Sequence, residues 1–292
     1  MRKAMQTAVK HLLHADKNTA LLLVDIGAWP FHELLEELPQ RAKNIGIFEP
    51  GTISAAAGLS LMGITPIVYG ISPFLVQRSL EQLKLDFVYQ KTGGNFITTG
   101  ASYDFSTLGY SHYCPEDIAT LSQLPGMDIL APATPAQFLS LWDACALNGR
   151  PSYFRLTDHC AVSNPPAQYG KASVIKRGTK GLVLTAAEML DPVLAACADR
   201  DVSILHYATL QPFDEQTLRE LYHERILICH PFYEGTMAPF VTRALMGMPI
   251  RLKEIGVPMQ VLRSYGTKQE KDSSLGLTVE AIASHLEAFL KE

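Results

Sequence analysis

The sequence predicts an α/β protein made of two open α/β domains, and three observations lead to this prediction. Short apolar runs of strand length alternate with helical segments along the chain. The run Thr19–Val24 is almost wholly apolar, as in strands buried on both faces of a parallel sheet. A turn-rich segment, 163–171, interrupts the alternation, and 292 residues suffice for two domains of ~100–200 residues. We therefore predict a first domain at 1–165, a linker at 166–178 and a second domain at 179–292.

The elements of the first domain follow from apolar runs and helix-start signals. An amphipathic helix is predicted at the N-terminus, and Pro50 marks the first turn of another helix, whose small residues Ala55–Gly58 favour close packing. Further helices are predicted over Phe74–Leu85 and Pro135–Leu147. The predicted strands are Thr19–Val24, Asn44–Phe48, Thr65–Tyr69, Phe87–Tyr89, Ile129–Pro132 and Ser152–Leu156.

The second domain repeats the alternation of strands and helices. Its predicted strands are Leu182–Thr185, Val202–His206 and Arg225–Cys229. Helices are predicted near Pro192–Ala198, Thr217–Leu221 and Thr278–Leu290, the last of which has apolar residues at helical spacing.

Composition and charge exclude several classes of protein. A chain with 47% apolar and 18% charged residues is not intrinsically disordered. The net charge of -4, without a block of Lys and Arg, argues against a nucleic-acid partner. No run reaches the ~18–20 apolar residues of a membrane span, and the N-terminus lacks the apolar region of a signal peptide. We therefore expect a cytoplasmic protein without a membrane partner.

Common catalytic signatures are missing from the sequence. The five cysteines are scattered and form no C-x-x-C pair, so neither a disulfide framework nor a metal site is expected in this chain. The sequence contains no G-x-x-x-x-G-K-[ST], no G-x-G-x-x-G after a strand, no H-E-x-x-H and no G-x-S-x-G. Residue patterns alone therefore stop at a two-domain α/β enzyme or enzyme subunit.

Four groups of residues in the first part of the chain match a known family. The first group is Asp25, Pro39-Gln40-Arg41, Asn44–Glu49 and Ala55–Leu59. The second is Phe74 with Gln82, and the third is Gly109–His112, Pro115–Asp117 and Leu124–Met127. The fourth is Pro151–Arg155. With these motifs, roughly the first 160 residues resemble the pyrimidine-binding domain of the transketolase family.

The remainder of the chain resembles the C-terminal domain of the same family. The matching segments are Gly181–Ala186, Leu210–Asp214 and the closing helix. The family usually has an acidic pair after the third strand of this domain, whereas this chain has His230–Tyr233 there. The resemblance therefore extends over both predicted domains.

One family signature is missing, and its absence bears on the cofactor and the partner. Full-length transketolases begin with a domain that binds the diphosphate of thiamine diphosphate through Mg²⁺, marked by G-D-G and a later asparagine. No G-D-G occurs in this sequence. The resemblance therefore implies the C-terminal (beta) subunit of a split enzyme, with thiamine diphosphate as cofactor and its diphosphate and Mg²⁺ held by an N-terminal partner subunit. The expected assembly is an α2β2 heterotetramer in which this chain also self-associates as a homodimer.

The resemblance implies a transferase, active only with its partner. A transketolase-like carboligase of this kind passes a two-carbon ketol or acyl unit from a ketose or 2-oxo donor to an aldehyde or ketone. Its substrates are then small sugars or 2-oxoacids. Two alternatives stay open: the beta subunit of a 2-oxoacid dehydrogenase-type decarboxylase, and a non-catalytic regulatory subunit.

The resemblance also implies roles for residues near the cofactor. Glu49 matches the glutamate that hydrogen-bonds N1′ of the aminopyrimidine, with a helix cap as the structural alternative. His112 matches an active-site histidine that transfers a proton or hydrogen-bonds the substrate carbonyl. Phe74 matches the aromatic residue that stacks on the pyrimidine, and Asp25 matches an aspartate near the cofactor where two subunits meet.

Three arginines are predicted to bind substrate. Arg155 resembles an arginine that grips a substrate phosphate or other anion with its planar fork. Arg2 is a second candidate, and Arg78 matches an arginine of the related synthases that make deoxyxylulose phosphate. Where many transketolases carry an aspartate that reads the acceptor hydroxyl, this chain has Leu108.

Overall fold

Twelve strands and twelve α-helices make up the described part of the protein, residues 1–291 of a computed structural model. The strands are β1 (Thr19–Leu23), β2 (Ala42–Asn44), β3 (Thr65–Ile71), β4 (Gly94–Thr99), β5 (Asp128–Leu130), β6 (Pro151–Arg155), β7 (Ser173–Lys176), β8 (Leu182–Ala186), β9 (Ser203–Tyr207), β10 (Thr209–Gln211), β11 (Arg225–Tyr233) and β12 (Arg251–Val257). The α-helices are α1 (Arg2–Ala15), α2 (His32–Glu37), α3 (Glu49–Leu61), α4 (Ser72–Val76), α5 (Leu80–Gln82), α6 (Asp117–Leu121), α7 (Pro135–Cys145), α8 (Leu190–Ala196), α9 (Glu215–Glu220), α10 (Ala238–Ala244), α11 (Lys268–Ser274) and α12 (Val279–Lys291).

The strands form two sheets, as the predicted fold class requires. The seven-stranded sheet has the order β10-β5-β6-β4-β3-β1-β2, and the five-stranded sheet has the order β12-β11-β8-β9-β7. Within each sheet all neighbours are parallel except one edge strand, β10 in the first and β7 in the second. The central strands β1 and β6 are buried at every residue. Short apolar runs predict strands that are buried on both faces, and both strands were predicted from such runs.

The two sheets are joined by more than a linker. Strand β10 lies in the predicted second domain, yet it pairs with β5 of the first sheet. Strand β7 lies inside the predicted linker, yet it is the edge of the second sheet. One cluster of buried apolar side chains runs from Leu22 and Phe96 of the first sheet to Leu184 and Ile228 of the second. The predicted domain limits stay a prediction.

Two predicted strands differ from the structure. The chain at Phe87–Tyr89 is helical, part of a π-helical turn over Leu83–Tyr89. A short apolar run does not distinguish a buried helix from a strand, and Phe87 reaches the core edge-on to Phe96 from that helix. The predicted strand at Asn44–Phe48 also ends at its first residue, because β2 closes at Asn44 and Gly46 has a φ of +83°.

The remaining predicted elements are close to the observed ones. The helix predicted over Thr278–Leu290 is α12, and the one over Pro135–Leu147 is α7, whose Thr134 accepts a capping hydrogen bond from the Gln137 amide. Strand β4, at the centre of the first sheet, was not predicted. None of the helices within residues 1–291 combines the length and the apolar content that crossing a membrane requires.

Candidate active site

The residues predicted to form the site follow four adjacent strands of the first sheet. Asp25 comes after β1, Glu49 after β2, Phe74 after β3 and His112 after β4. Because these strands are parallel, their carboxyl ends share one edge of the sheet. The strand order reverses between β1 and β3, since β2 lies on the other side of β1. Open α/β sheets bind ligands at such a switch point.

Glu49 is an acid held in a buried position. It is the first residue of α3, Pro50 shares that first turn, and Glu49 is only 2% exposed. The N-terminus of a helix favours a carboxylate through its backbone dipoles. The Arg78 guanidinium donates a hydrogen bond from Nη1 to Glu49 Oε2 at 2.9 Å. Glu49 therefore presents a hydrogen-bonding carboxyl group that is shielded from water.

Arg78 and Phe74 form a stacked pair beside that carboxyl group. Arg78 lies in the turn between α4 and α5, and its Cζ is 4.2 Å from the centroid of the Phe74 ring. The flat guanidinium thus contacts an aromatic face and a buried acid together. Arg78 was predicted to bind substrate, and the structure places it against two other predicted site residues.

His112 completes the group through an edge contact with Phe74. The two ring centroids are 5.3 Å apart at an interplanar angle of 70°, and Ser111 Oγ lies 3.1 Å from His112 Nδ1. His112 ends a 3₁₀ turn that begins after Gly109, which has a φ of +84°. The structure therefore brings Glu49, Phe74, Arg78 and His112 into one connected set.

Asp25 is tied to the loop before Glu49 rather than to Glu49 itself. Its φ of +72° is unusual for a residue with a side chain, and its backbone N–H donates to Asn44 Oδ1 at 2.9 Å. The Asn44 side chain donates back to Asp25 Oδ1 at 3.3 Å and accepts from the Gly46 amide at 3.1 Å. Asp25 is exposed. Its predicted cofactor contact stays a prediction.

Arg2 begins α1 and pairs with Asp158, which follows β6. Its Nε donates to Asp158 Oδ1 at 2.7 Å, and its Nη2 contacts the other carboxylate oxygen. This hydrogen-bonded pairing with Asp158 raises the pKa of Arg2. An anion at Arg2 would compete with Asp158, so a substrate contact here stays a prediction.

Arg155 lies inside the protein, and its predicted grip on a substrate anion stays a prediction. The residue is 1% exposed. Nε donates to Asp117 Oδ2 at 3.1 Å, Nη1 donates to Glu188 Oε2 at 2.9 Å, and the guanidinium stacks on Phe232 at 4.8 Å. Since Glu188 follows β8 of the second sheet, Arg155 is a buried structural link between the two sheets.

The acids around Arg155 have perturbed pKa values. Burial raises the pKa of Asp117 more than Arg155 lowers it. Burial also opposes ionisation of Glu188, but Arg155 and Lys268 bring its pKa below the usual value. Burial, with the nearby Glu188, raises the pKa of Asp104 to about 7. Asp104 Oδ1 and Glu188 Oε1 are both buried and accept no hydrogen bond within residues 1–291.

A cavity of about 480 Å³ opens beside this network and not beside Glu49. Its lining includes Glu188, Lys268 and Asp272. Lys268 and Asp272 already pair with each other at 2.9 Å, and Glu188 pairs with Arg155. We assign no ligand to it. Within residues 1–291, no group of three His, Cys, Asp or Glu side chains is arranged to hold a metal ion.

Sequence reasoning missed several residues that shape the site. Asn44 connects the β1 and β2 loops, and Gln77 joins the turn of Arg78 to the His112 loop by donating to Glu116. Burial raises the pKa of Glu116. Both Asn44 and Glu116 lie inside matched motifs, so the motifs contained a signal. Nothing local marked Glu188 as the partner of Arg155.

The fold and the site together define an α/β protein with a buried acid and an aromatic face at its strand-order switch, a composition suited to a flat heteroaromatic ring. The chain belongs to the transketolase family, because residues 1–159 match the family described as the transketolase pyrimidine-binding domain.

Similar proteins cover the whole chain. An uncharacterized 33.6 kDa protein in the fasciation locus of Rhodococcoides fascians is 34% identical, covering 99% of this chain and 95% of its own length. An apulose-4-phosphate transketolase subunit of Phocaeicola vulgatus is 26% identical, covering 100% of this chain and 97% of its own. A solved split gene transketolase, described as an inactive beta4 tetramer, superposes with a TM-score of 0.87 at 22% identity, covering 99% of this chain and 97% of that one. This last likeness shows the fold.

Proposed function

We propose that this chain is the subunit of a split, thiamine-diphosphate-dependent transketolase-like enzyme that binds the pyrimidine end of the cofactor. The observation that carries the proposal is the buried Glu49 carboxyl group beside the stacking face of Phe74, at the switch point of the sheet. These two groups fit an aminopyrimidine, which needs a carboxyl partner at a ring nitrogen and a flat apolar surface. The family assignment and the relative named as a transketolase subunit support the proposal.

The reaction is the transfer of a two-carbon ketol or acyl unit from a ketose or 2-oxo donor to an aldehyde or ketone. When bound, thiamine diphosphate supplies the electron sink for breaking and forming the carbon–carbon bond. With the cofactor bound, Glu49 would hold and move a proton at ring nitrogen N1′, Phe74 would orient the ring by stacking, and His112 would exchange a proton with the substrate oxygen. Asp25, in the β1 loop, would contribute to holding the cofactor.

We propose that a separate N-terminal subunit would hold the diphosphate and its Mg²⁺, because a relative that this chain covers over 97% of its length is named as a transketolase subunit. The loop before Glu49 supports such a partner, because it exposes large apolar side chains. Ile47 is 73% exposed and Phe48 61%, and Trp29 in the β1 loop is 81% exposed. Apolar surface of this kind beside a site marks a contact with another chain. We propose an α2β2 heterotetramer built on a homodimer of this chain.

The test measures exchange of the thiazolium C2 proton for deuterium in the assembled enzyme, by NMR after acid quench. Glu49→Gln keeps the size of the side chain but removes the titrating group, and Glu49→Ala removes the contact. Either change should slow exchange at least ~10²-fold, the low end for a positioned acid–base group. Glu36→Gln, an exposed glutamate on α2, is the matched control and should exchange at the wild-type rate.

Assembly should survive both Glu49 substitutions, because the Glu49 side chain is buried and not part of the exposed apolar surface. Wild-type exchange rates in both Glu49 variants would reduce Glu49 to a helix cap and remove the centre of the proposal. Negligible exchange in the wild-type complex would favour a non-catalytic subunit. Release of CO₂ from a 2-oxoacid without transfer would favour the decarboxylase alternative.

A further inference from the structure

Arg78 occupies the space that a ring would need. A ligand that stacks on Phe74 and hydrogen-bonds Glu49 must lie between them, and the Arg78 guanidinium already lies there. It is 4.2 Å from the Phe74 centroid and 2.9 Å from Glu49 Oε2. A guanidinium is planar and delocalised, and it offers N–H groups in its plane to a carboxylate while its face stacks on an aromatic ring. An aminopyrimidine likewise combines a flat face that can stack on Phe74 with an in-plane ring nitrogen that can hydrogen-bond the Glu49 carboxyl group.

We propose that Arg78 is a positioning residue that stands in for the pyrimidine in the unassembled chain and turns aside when the ring enters. This inference rests on the proposed function. It goes beyond that function because it gives Arg78 a role before the pyrimidine binds, when its guanidinium covers Glu49 and Phe74. We call this arrangement the closed state. The sequence had predicted a substrate contact for Arg78.

The exposure of the two charged side chains says which of them moves. The Arg78 side chain is 46% exposed, whereas that of Glu49 is 3% exposed. Arg78 can therefore turn into water, while Glu49 stays inside the protein. A buried carboxylate without a partner is costly, so Arg78 stabilises Glu49 until a ring replaces the guanidinium.

The closed state should lower the apparent affinity of the chain for a pyrimidine. A ligand binds only the fraction of molecules whose site is open, and its apparent affinity falls by that fraction. Arg78 is held by a charge-assisted hydrogen bond and a cation–π contact, and its side chain is half-exposed. We expect these contacts to leave the site open in about one molecule in ten. Removing the guanidinium should then tighten pyrimidine binding about 10-fold and also destabilise the empty chain. A side chain with only a structural role would not produce these opposite effects.

The experiment titrates thiamine into the full chain without its partner, by calorimetry, and follows thermal unfolding of the same samples. Arg78→Met removes the charge and the planar fork, and Arg78→Lys keeps only the charge. Arg243→Met is the matched control, because Arg243 lies 5.9 Å over the Phe240 ring and 3.6 Å from Glu215, far from the site. Glu49→Ala is measured in parallel.

We expect Arg78→Met to bind thiamine about 10-fold more tightly than wild type while melting at a lower temperature without ligand. Arg78→Lys should lie between them, and Arg243→Met should bind like wild type. The inference is overturned if Arg78→Met binds thiamine no more tightly than wild type. It is also overturned if neither protein shows detectable binding. Binding that Glu49→Ala leaves unchanged would instead count against the proposed function.

Discussion

Removing Arg155 should destabilise the protein strongly, and the structure indicates by how much. The guanidinium is buried and pairs with Asp117 at 3.1 Å and with Glu188 at 2.9 Å, and both carboxyl groups are also buried. Arg155→Met keeps most of the side-chain volume but leaves two buried acids without their cation. Breaking a buried ion pair by removing one partner costs about 3–5 kcal/mol. We expect a loss of that size in the free energy of unfolding at pH 7.

The loss should shrink as the pH falls. In the wild-type protein the folded-state pKa of Glu188 is lowered, so its stabilisation is present above its unfolded pKa and is lost on acidification. In the Arg155→Met variant, burial without the cation raises the folded-state pKa of both acids, so each takes up a proton on folding. Between pH 8 and pH 5, acid therefore relieves the variant, while the wild-type protein keeps the Glu188 contribution until the pH falls below the unfolded pKa, and the two stabilities converge.

Urea unfolding followed by circular dichroism between pH 5 and pH 8 measures this difference. Arg200→Met is the control, because Arg200 pairs with Glu287 at 3.1 Å on the surface and should change stability far less. The triple variant Arg155→Met, Asp117→Asn, Glu188→Gln carries no unpaired charge and should regain a large part of the loss. A loss for Arg155→Met no larger than for Arg200→Met would refute the reasoning. A raised KM for an anionic substrate with unchanged stability would support the substrate role.

Three further predictions concern single sites. Folding raises the pKa of Asp104 from 3.8 to about 7, so Asp104 takes up a proton on folding between these two pH values. Its destabilisation of the folded state therefore grows as the pH rises through this range. Asp104→Asn should exceed wild type in stability at pH 8 and approach it near pH 5, and a gap that is constant in urea titrations would contradict this. Gly109→Ala should lower the melting temperature, because Gly109 has a φ of +84° and an added Cβ would lie 2.6 Å from Tyr265. The substitution should also disturb the His112 turn. An unchanged melting curve and an unchanged NMR signal for His112 would disprove this prediction. The Cβ added by Gly58→Ala in α3 would meet open space, so this substitution should stabilise the chain by about 0.5–1 kcal/mol. A lower stability, measured without the partner subunit, would mean that α3 packs against another copy of this chain.

Local patterns were sufficient to predict the end of β1 and the start of α3, which carry two of the predicted site residues. An apolar run ending at an acid placed Asp25 after β1, and Pro50 marked the start of α3 at Glu49. Both signals work because burial of a strand and the first turn of a helix depend on adjacent residues. The family resemblance then supplied the roles, and the match over residues 1–159 confirmed the family.

Local patterns failed where polar residues are satisfied by distant partners. Strand β4 was missed because it contains Asn95 and Thr98, which look unsuited to a buried strand. The structure buries both, since Asn95 donates to the Ala146 carbonyl at 2.9 Å and Thr98 donates to the Tyr153 hydroxyl at 2.9 Å. The three-residue run Phe87–Tyr89 failed for a different reason, because its length suits either a helix or a strand.

The sequence by itself determined the fold class, the order of the site residues and the identity of the buried acid, because these depend on neighbours along the chain and on motifs. Only the tertiary structure shows which acids the arginines contact. Arg78 meets Glu49 across 29 residues, and Arg155 meets Asp117 and Glu188 across 38 and 33 residues. A guanidinium looks the same in sequence whether it faces water, a ligand or a buried carboxylate. Its role is set by the acids that folding brings into hydrogen-bonding distance of it, and no local pattern records that distance.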